Sequence, residues 1–262
     1  MTASPTTANP SAAPASRVRS AFPGPKRRAD DLYFGAMVLL IAGTVFLGFA
    51  RSYYLAGIYH VHVRNALIRV HGAVFSAWIV LLVVQTTLVA RRNISVHRRL
   101  GLFGAGLAVA MVGLGVTAAT DSLARGFTPP GFPFGRLAFY STPIFSIASF
   151  AVLIFFSIRL RSNGAAHKRL VLLATLALIS AAIDRWPFAF IQQAHFMTNV
   201  IIDLMVLSIV VFDFSTIRRL HRATLLGGLC VMVPGHLAVP IGQTAGWQKI
   251  ATLALHAWAN LH

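Results

Sequence analysis

Residues 69–100 read R-VHGAVFSAWIVLLVVQTTLVA-RRNISVHRRL, and this stretch decides the fold. From 70 to 90 nothing is charged, and a helix of that length rises roughly 30 Å, the thickness of a bilayer's hydrocarbon core. Arg69 and Arg91 close the run at either end. A basic cluster follows, and then a second uncharged run, 100–120, bounded by Arg99 and Asp121. Two apolar spans joined by a short cationic loop are a membrane hairpin.

The same alternation extends over the chain. Uncharged or nearly uncharged runs recur at 32–50, 137–158, 167–186, 194–217 and 223–247, giving about seven spans in an all-α polytopic transmembrane helix bundle. The composition agrees. Of 262 residues 56% are hydrophobic and 11% charged, with mean hydropathy +0.71, against roughly a quarter charged in a soluble domain. Two spans are irregular. The fifth meets Asp184-Arg185 and is stopped by Trp186-Pro187, and the seventh is interrupted by Pro234-Gly235 and Pro240, where a kink or break is expected. Residues 248–262 suit a short interfacial helix anchored by Trp258. Spans two to six are expected to form the central bundle, with the first and seventh around it.

The net charge of +17 reads as topology rather than as a nucleic-acid footprint, because the cations sit between apolar runs. With the N-terminus inside, sixteen Lys and Arg fall on one side and seven on the other, so the positive-inside rule makes the N-terminus cytoplasmic. The expected partners are the bilayer and its anionic lipids, not nucleic acid, and a homo-oligomer is compatible with the pattern. Residues 1–30, rich in Ser, Thr, Ala and Pro, read as a disordered cytoplasmic tail before a transmembrane domain at 31–262. A secretory signal peptide competes, but the first apolar run is long for one and is read as a retained helix. All six acidic residues are Asp, and the one cysteine, Cys230, leaves neither a disulfide framework nor a cysteine zinc site.

Two basic loops echo each other. Arg91-Arg-Asn-Ile-Ser-Val-His97-Arg-Arg-Leu100 and Arg161-Ser-Asn-Gly-Ala-Ala-His167-Lys-Arg-Leu170 are identical at five of ten positions, through either a repeated hairpin or convergence of short basic loops. Both open a helix with cations, against the macrodipole, so something anionic should compensate. Lipid phosphate is one source; a bound anionic group such as a haem propionate is another.

Polar side chains mark two helix faces. His71, Trp78 and Gln85, spaced i, i+7, i+14, stay within about 40° of one another on the second span. On the sixth, Gln192, His195, Asn199 and Asp203 share a face. Asp203 lies inside the bilayer, where an ionisable group faces the bundle and finds a partner, with Arg185 or His71 as candidates. Gly106, Ala110 and Gly113 form a small-residue strip on the third span that suits close helix packing.

Function stays open between two classes. In the first, His71 and His195 near the outer face and His97 and His167 near the inner face are axial ligands of haem b in an electron-transfer protein. In the second, a non-redox membrane protein binds lipid or moves protons or a small solute, with Asp203 as carrier and Asp184, Arg185, His195 and Asp213 as neighbours. No soluble-enzyme motif competes.

His71…Trp78…Gln85, His97-Arg98-Arg99-Leu100-Gly101, His167-Lys168-Arg169-Leu170 and Ala181-Ala182-Ile183-Asp184-Arg185-Trp186-Pro187 resemble bacterial multi-pass membrane proteins of unknown function, over about residues 33–250. Some of those show a faint likeness to the four-helix, histidine-ligated cytochrome b561 architecture. The resemblance implies a bacterial inner (plasma) membrane and adds weight to haem, but carries no activity across. Leu170 and Val171 stand where related sequences often have Leu-Met or Trp-Met.

Overall fold

A computed structural model describes residues 25–61, 66–129, 131–194 and 196–260. These are all-helical, and no strand occurs among them. Six helices are long and apolar enough to cross a membrane: Arg28–Tyr54, Ala66–Ala90, Ile94–Ala124, Gly135–Arg159, Phe196–Ile217 and Arg222–Gly242.

In chain order the elements are α1 (Pro25–Phe49), which ends in a π-helical turn at Ala50–Tyr54, α2 (Ala66–Ala90) and α3 (Ile94–Ala124). A short α4 (Gly135–Phe139) leads into α5 (Ser141–Arg159). Then come α6 (Gly164–Leu178), the single turns α7 (Ser180–Ile183) and α8 (Ala189–Gln193), α9 (Phe196–Ile217), α10 (Arg222–Gly242) and α11 (Ala245–Ala259). α1 starts at Pro25, five residues before the tail boundary expected at residue 30. Pro25 sits in the first turn, where its missing N–H costs nothing. The tail upstream of it, 1–24, lies outside the described residues.

The run expected as the fifth span is the most enclosed part of the protein. Leu172, Leu173, Ala174 and Leu176 of α6 are each at most 2% exposed, and a stretch that is apolar on all sides belongs inside a bundle. Its path parallels α1. Lys168 pairs with Asp30 at 2.7 Å near one end, and the Trp186 indole N–H donates to the Thr44 carbonyl (3.3 Å) near the other. Gly48 makes the close approach there, since any Cβ would overlap the Ala182 carbonyl.

Two expectations are corrected by the packing. α10 is not peripheral, because it packs on α5, α6 and α9. Of the kink or break expected in it, no break occurs, since its helix continues through Pro234 and Pro240 to Gly242. Neighbouring side chains serve the carbonyls of that proline stretch: Asn199 donates to Gly235 (3.2 Å) and Ser141 to Ala238 (2.7 Å). Finally, Gly106, Ala110 and Gly113 are exposed, and no atom approaches a Cβ at either glycine. The glycines of α3 that meet neighbours closely are Gly104, against Leu81 of α2, and Gly115, against Ile147 of α5. Among the small positions of α3, periodicity alone picked the lipid-facing set.

α11 follows a cap in which Thr244 accepts from the Trp247 N–H (3.3 Å). It lies against α3 and α4, with the Trp247 indole donating to the Leu137 carbonyl (3.0 Å). Trp247 and Ala251 are buried, so this helix is fixed by packing as well as by any bilayer surface.

Candidate functional site

The two expected polar faces fare differently. On α2 the three side chains point inward but serve three separate neighbours. His71 stacks on Phe75 (4.1 Å), the Trp78 indole donates to the Thr175 hydroxyl of α6 (3.1 Å), and Gln85 donates to the His97 carbonyl (3.3 Å). Over fourteen residues they spread across about 21 Å of helix. They form a packing seam rather than a site.

On α9, Asn199 and Asp203 do converge, on a partner that sequence spacing missed. The Asp203 carboxylate meets the His236 imidazole Nε2 at 2.8 Å, in place of the expected Arg185 or His71. Arg185 instead donates to the Ala181 carbonyl and lies over the Phe49 ring (5.0 Å). Asp184 accepts from the Thr198 hydroxyl (2.5 Å). His195 lies outside the described residues, as does the Gln192 side chain.

Beside the Asp203–His236 pair is a cavity of about 40 Å³. Thr142, Ser146 and Ser149 of α5, Ser180 of α7, and Asn199 line it together with the pair. At roughly 10–15 Å³ of such space per water, it has room for a few water molecules and no larger solute. Asp203 lies seven residues, about 10 Å, from the far end of α9. Toward the basic end, Met205, Val206, Ile209 and Phe212 close the interior with buried apolar side chains. His236 had a sequence signal, since it follows the Pro234-Gly235 irregularity, but only the fold brings it opposite Asp203.

The same helix carries a second carboxylate in a different setting. Asp213 is fully buried and Arg169 is 2% exposed. One carboxylate oxygen takes the Arg169 Nε–H (2.9 Å) and a second guanidinium N–H; the other takes the His221 backbone N–H (3.1 Å) and the Thr224 hydroxyl (2.5 Å). Arg169 also donates to the Ala165 carbonyl (2.9 Å). This network answers the macrodipole problem of the fifth run from within. Asp30 and Asp213 compensate Lys168 and Arg169, so neither lipid phosphate nor a haem propionate is required there.

The two echoing loops fold alike. Asn93 caps α3 by accepting from the Val96 N–H (3.3 Å), and Asn163 caps α6 by accepting from the Ala166 N–H (3.2 Å). Four residues past each cap stands a histidine, and the His97 and His167 rings meet with centroids 6.3 Å apart at 81°. His167 Nδ1 is 2.9 Å from the Ser157 carbonyl, whereas the buried Nδ1 atoms of His97 and His71 have no hydrogen-bond partner. Among the described residues no group of three or more His, Cys or Asp side chains is arranged to hold a metal ion.

No protein-family model matches the chain, and neither does any curated protein or solved structure. Function therefore has to be argued from these two polar centres and the histidine pair.

Proposed function

We propose that the protein is a seven-span membrane protein with a cytoplasmic N-terminus, whose Asp203–His236 pair takes protons from the outer side and passes them across the membrane. Orientation rests on the sixteen-to-seven distribution of Lys and Arg. The seventh crossing is α6–α7, which parallels α1 between Lys168 and Ala182. A bacterial inner membrane is the setting the sequence resemblance supports.

The observation carrying the functional reading is a hydrogen-bonded pair of two titratable groups beside a small hydroxyl-lined cavity within the span region. Ionisable residues at membrane depth mark proton and ion pathways. The size of the cavity narrows the cargo, since waters fit and larger solutes do not. Ser146, Ser149, Ser180 and Thr142 each supply a hydroxyl able to donate and accept, as a water-mediated proton relay requires. The apolar layer from Met205 to Phe212 separates this relay from the basic end and is the barrier a proton crosses on its way to that side. Reconstituted protein under an imposed pH gradient, read with a trapped pH dye, tests this. Wild-type protein dissipates the gradient, and Asp203→Asn does so no faster than empty liposomes.

A second reading, haem b held by His97 and His167, is favoured by their 6.3 Å spacing. Two imidazoles on one iron, with bonds near 2 Å and about 1 Å from nitrogen to ring centre, stand about 6 Å apart. His167 Nδ1 against the Ser157 carbonyl leaves Nε2 free, the usual support for a ligating imidazole. Bound haem would supply one-electron chemistry at the basic end. A Soret band in protein purified from haem-supplied cells, lost in His97→Ala, is the expected result of this reading; well-folded protein without the band removes it.

A further inference from the structure

A second, larger cavity of about 730 Å³ lies at the basic end, between α5 and the first turns of α6 and α10. Its walls are apolar, formed by Leu153, Phe156, Leu170, Leu226 and Cys230. Asn163, Arg219, His221 and Arg222 ring its mouth.

We propose that this cavity is a binding site for one anionic phospholipid, with the phosphate between Arg219 and Arg222 and an acyl chain running down toward Cys230. The proposal is independent of the Asp203–His236 reading. Depth supports it first. From Arg222 to Cys230, α10 rises eight residues, about 12 Å, close to the roughly 15 Å of hydrocarbon in one leaflet. A cationic mouth above an apolar shaft of that depth has the polarity profile of one lipid molecule. The shaft also opens sideways, since Phe156 is 50% and Leu226 is 65% exposed, which admits a chain from the bilayer.

Charge supplies the second argument. The chain has six acidic residues, all described, and four are already paired: Asp30 with Lys168, Asp121 with Arg125, Asp203 with His236 and Asp213 with Arg169. Asp31 acts on Lys168, and Asp184 takes the Thr198 hydroxyl at the opposite end of the helices. Among the described residues no carboxylate is paired with Arg219 or Arg222, which leaves both open to an anion from outside the chain. Burial, then the Arg169 charge, lower the pKa of His221, with Asp213 opposing and Arg219 and Lys168 adding. Its Nδ1 accepts from the Ala223 N–H (3.1 Å), which puts the ring proton on Nε2, free to donate to a phosphate oxygen. A free phosphate would use the mouth but leave the shaft unfilled, and the apolar walls therefore select the lipid.

Cys230, the one cysteine of the chain, sits at the deep end and reports occupancy. The full chain in a neutral maltoside detergent is treated with N-ethylmaleimide, alone or with dioctanoyl phosphatidylglycerol, dioctanoyl phosphatidylcholine or inorganic phosphate. The expected result is saturable slowing of Cys230 modification, on the order of tenfold, by the phosphatidylglycerol only. In Arg219→Gln/Arg222→Gln, whose replaced side chains are exposed, that protection is lost. Native mass spectrometry of the same samples gives a second readout, expected to show one phosphatidylglycerol adduct on wild type and none on the variant. Equal protection by phosphatidylcholine, protection by phosphate alone, protection retained in the variant, or no phosphatidylglycerol adduct would each overturn the proposal.

Discussion

Asp203 and Asp213 sit on the same helix, ten residues apart, and differ in almost everything else. Asp213 is fully buried, with both oxygens taken by Arg169, the His221 N–H and the Thr224 hydroxyl. The Asp203 side chain is 26% exposed, with one histidine partner and a small polar cavity beside it. A carboxylate with both oxygens taken by fixed donors can accept a further partner only by breaking the network. One with a single contact has acceptor positions left for water. Membrane depth alone does not identify a functional aspartate; the number and kind of its donors does.

That contrast is sharpened most strongly by stability. Asp213→Ala strands Arg169 in the interior and is expected to cost about 3–5 kcal/mol in thermal unfolding of the detergent-solubilised protein. Replacing both partners with apolar residues, Arg169→Met with Asp213→Leu, should recover most of that loss, because no unpaired charge remains. A double variant as unstable as the single one would mean that the contacts to His221 and Thr224 matter more than the charge pair.

Next in size is Trp78→Phe, which removes the donor to Thr175 while keeping most of the ring. A loss of about 1 kcal/mol is expected, that of one neutral hydrogen bond. A loss several times larger would give the α2 face more than a packing role. Smaller still, Asp203→Asn should change stability by no more than about 1 kcal/mol, since partly exposed ion pairs contribute little. A loss as large as that of Asp213→Ala would erase the distinction between the two aspartates.

The smallest effect is a pH dependence at the basic end. His221 caps α10 through an unprotonated Nδ1, and its pKa is lowered by burial and by Arg169. The unfolded chain therefore binds the proton more readily than the folded one. This contribution to stability is complete above the ordinary histidine pKa near 6.5 and declines as pH falls below it. Melting temperatures compared at pH 7.5 and 5.5 should show a decrease that is smaller in His221→Asn, which keeps an acceptor at the cap but does not titrate. An unchanged decrease in that variant would assign the effect to another group.

Much of this was legible in the chain. Apolar runs between basic loops mark the positions of six helices, and the echo of the two basic loops, with His97 and His167 expected near one face, matches two loops that fold alike and bring the two rings together. What was not legible is what only packing decides. Helical periodicity fixes which residues share a face, not what that face meets. Asn199 and Asp203 share a face, but periodicity does not reach His236, thirty-three residues beyond Asp203. For the same reason Gly106 and Gly113 were assigned to a contact they do not make. The cations of α6 looked like lipid ligands because their partners, Asp30 and Asp213, lie 138 and 44 residues away in sequence.

The most direct test sets function beside stability in one variant. Asp203→Asn protein is melted in detergent and reconstituted under a pH gradient next to wild type. The account predicts a melting transition within about 1 kcal/mol of wild type and a proton flux reduced to that of empty liposomes. Wild-type flux in that variant, or no flux in wild type itself, would contradict it.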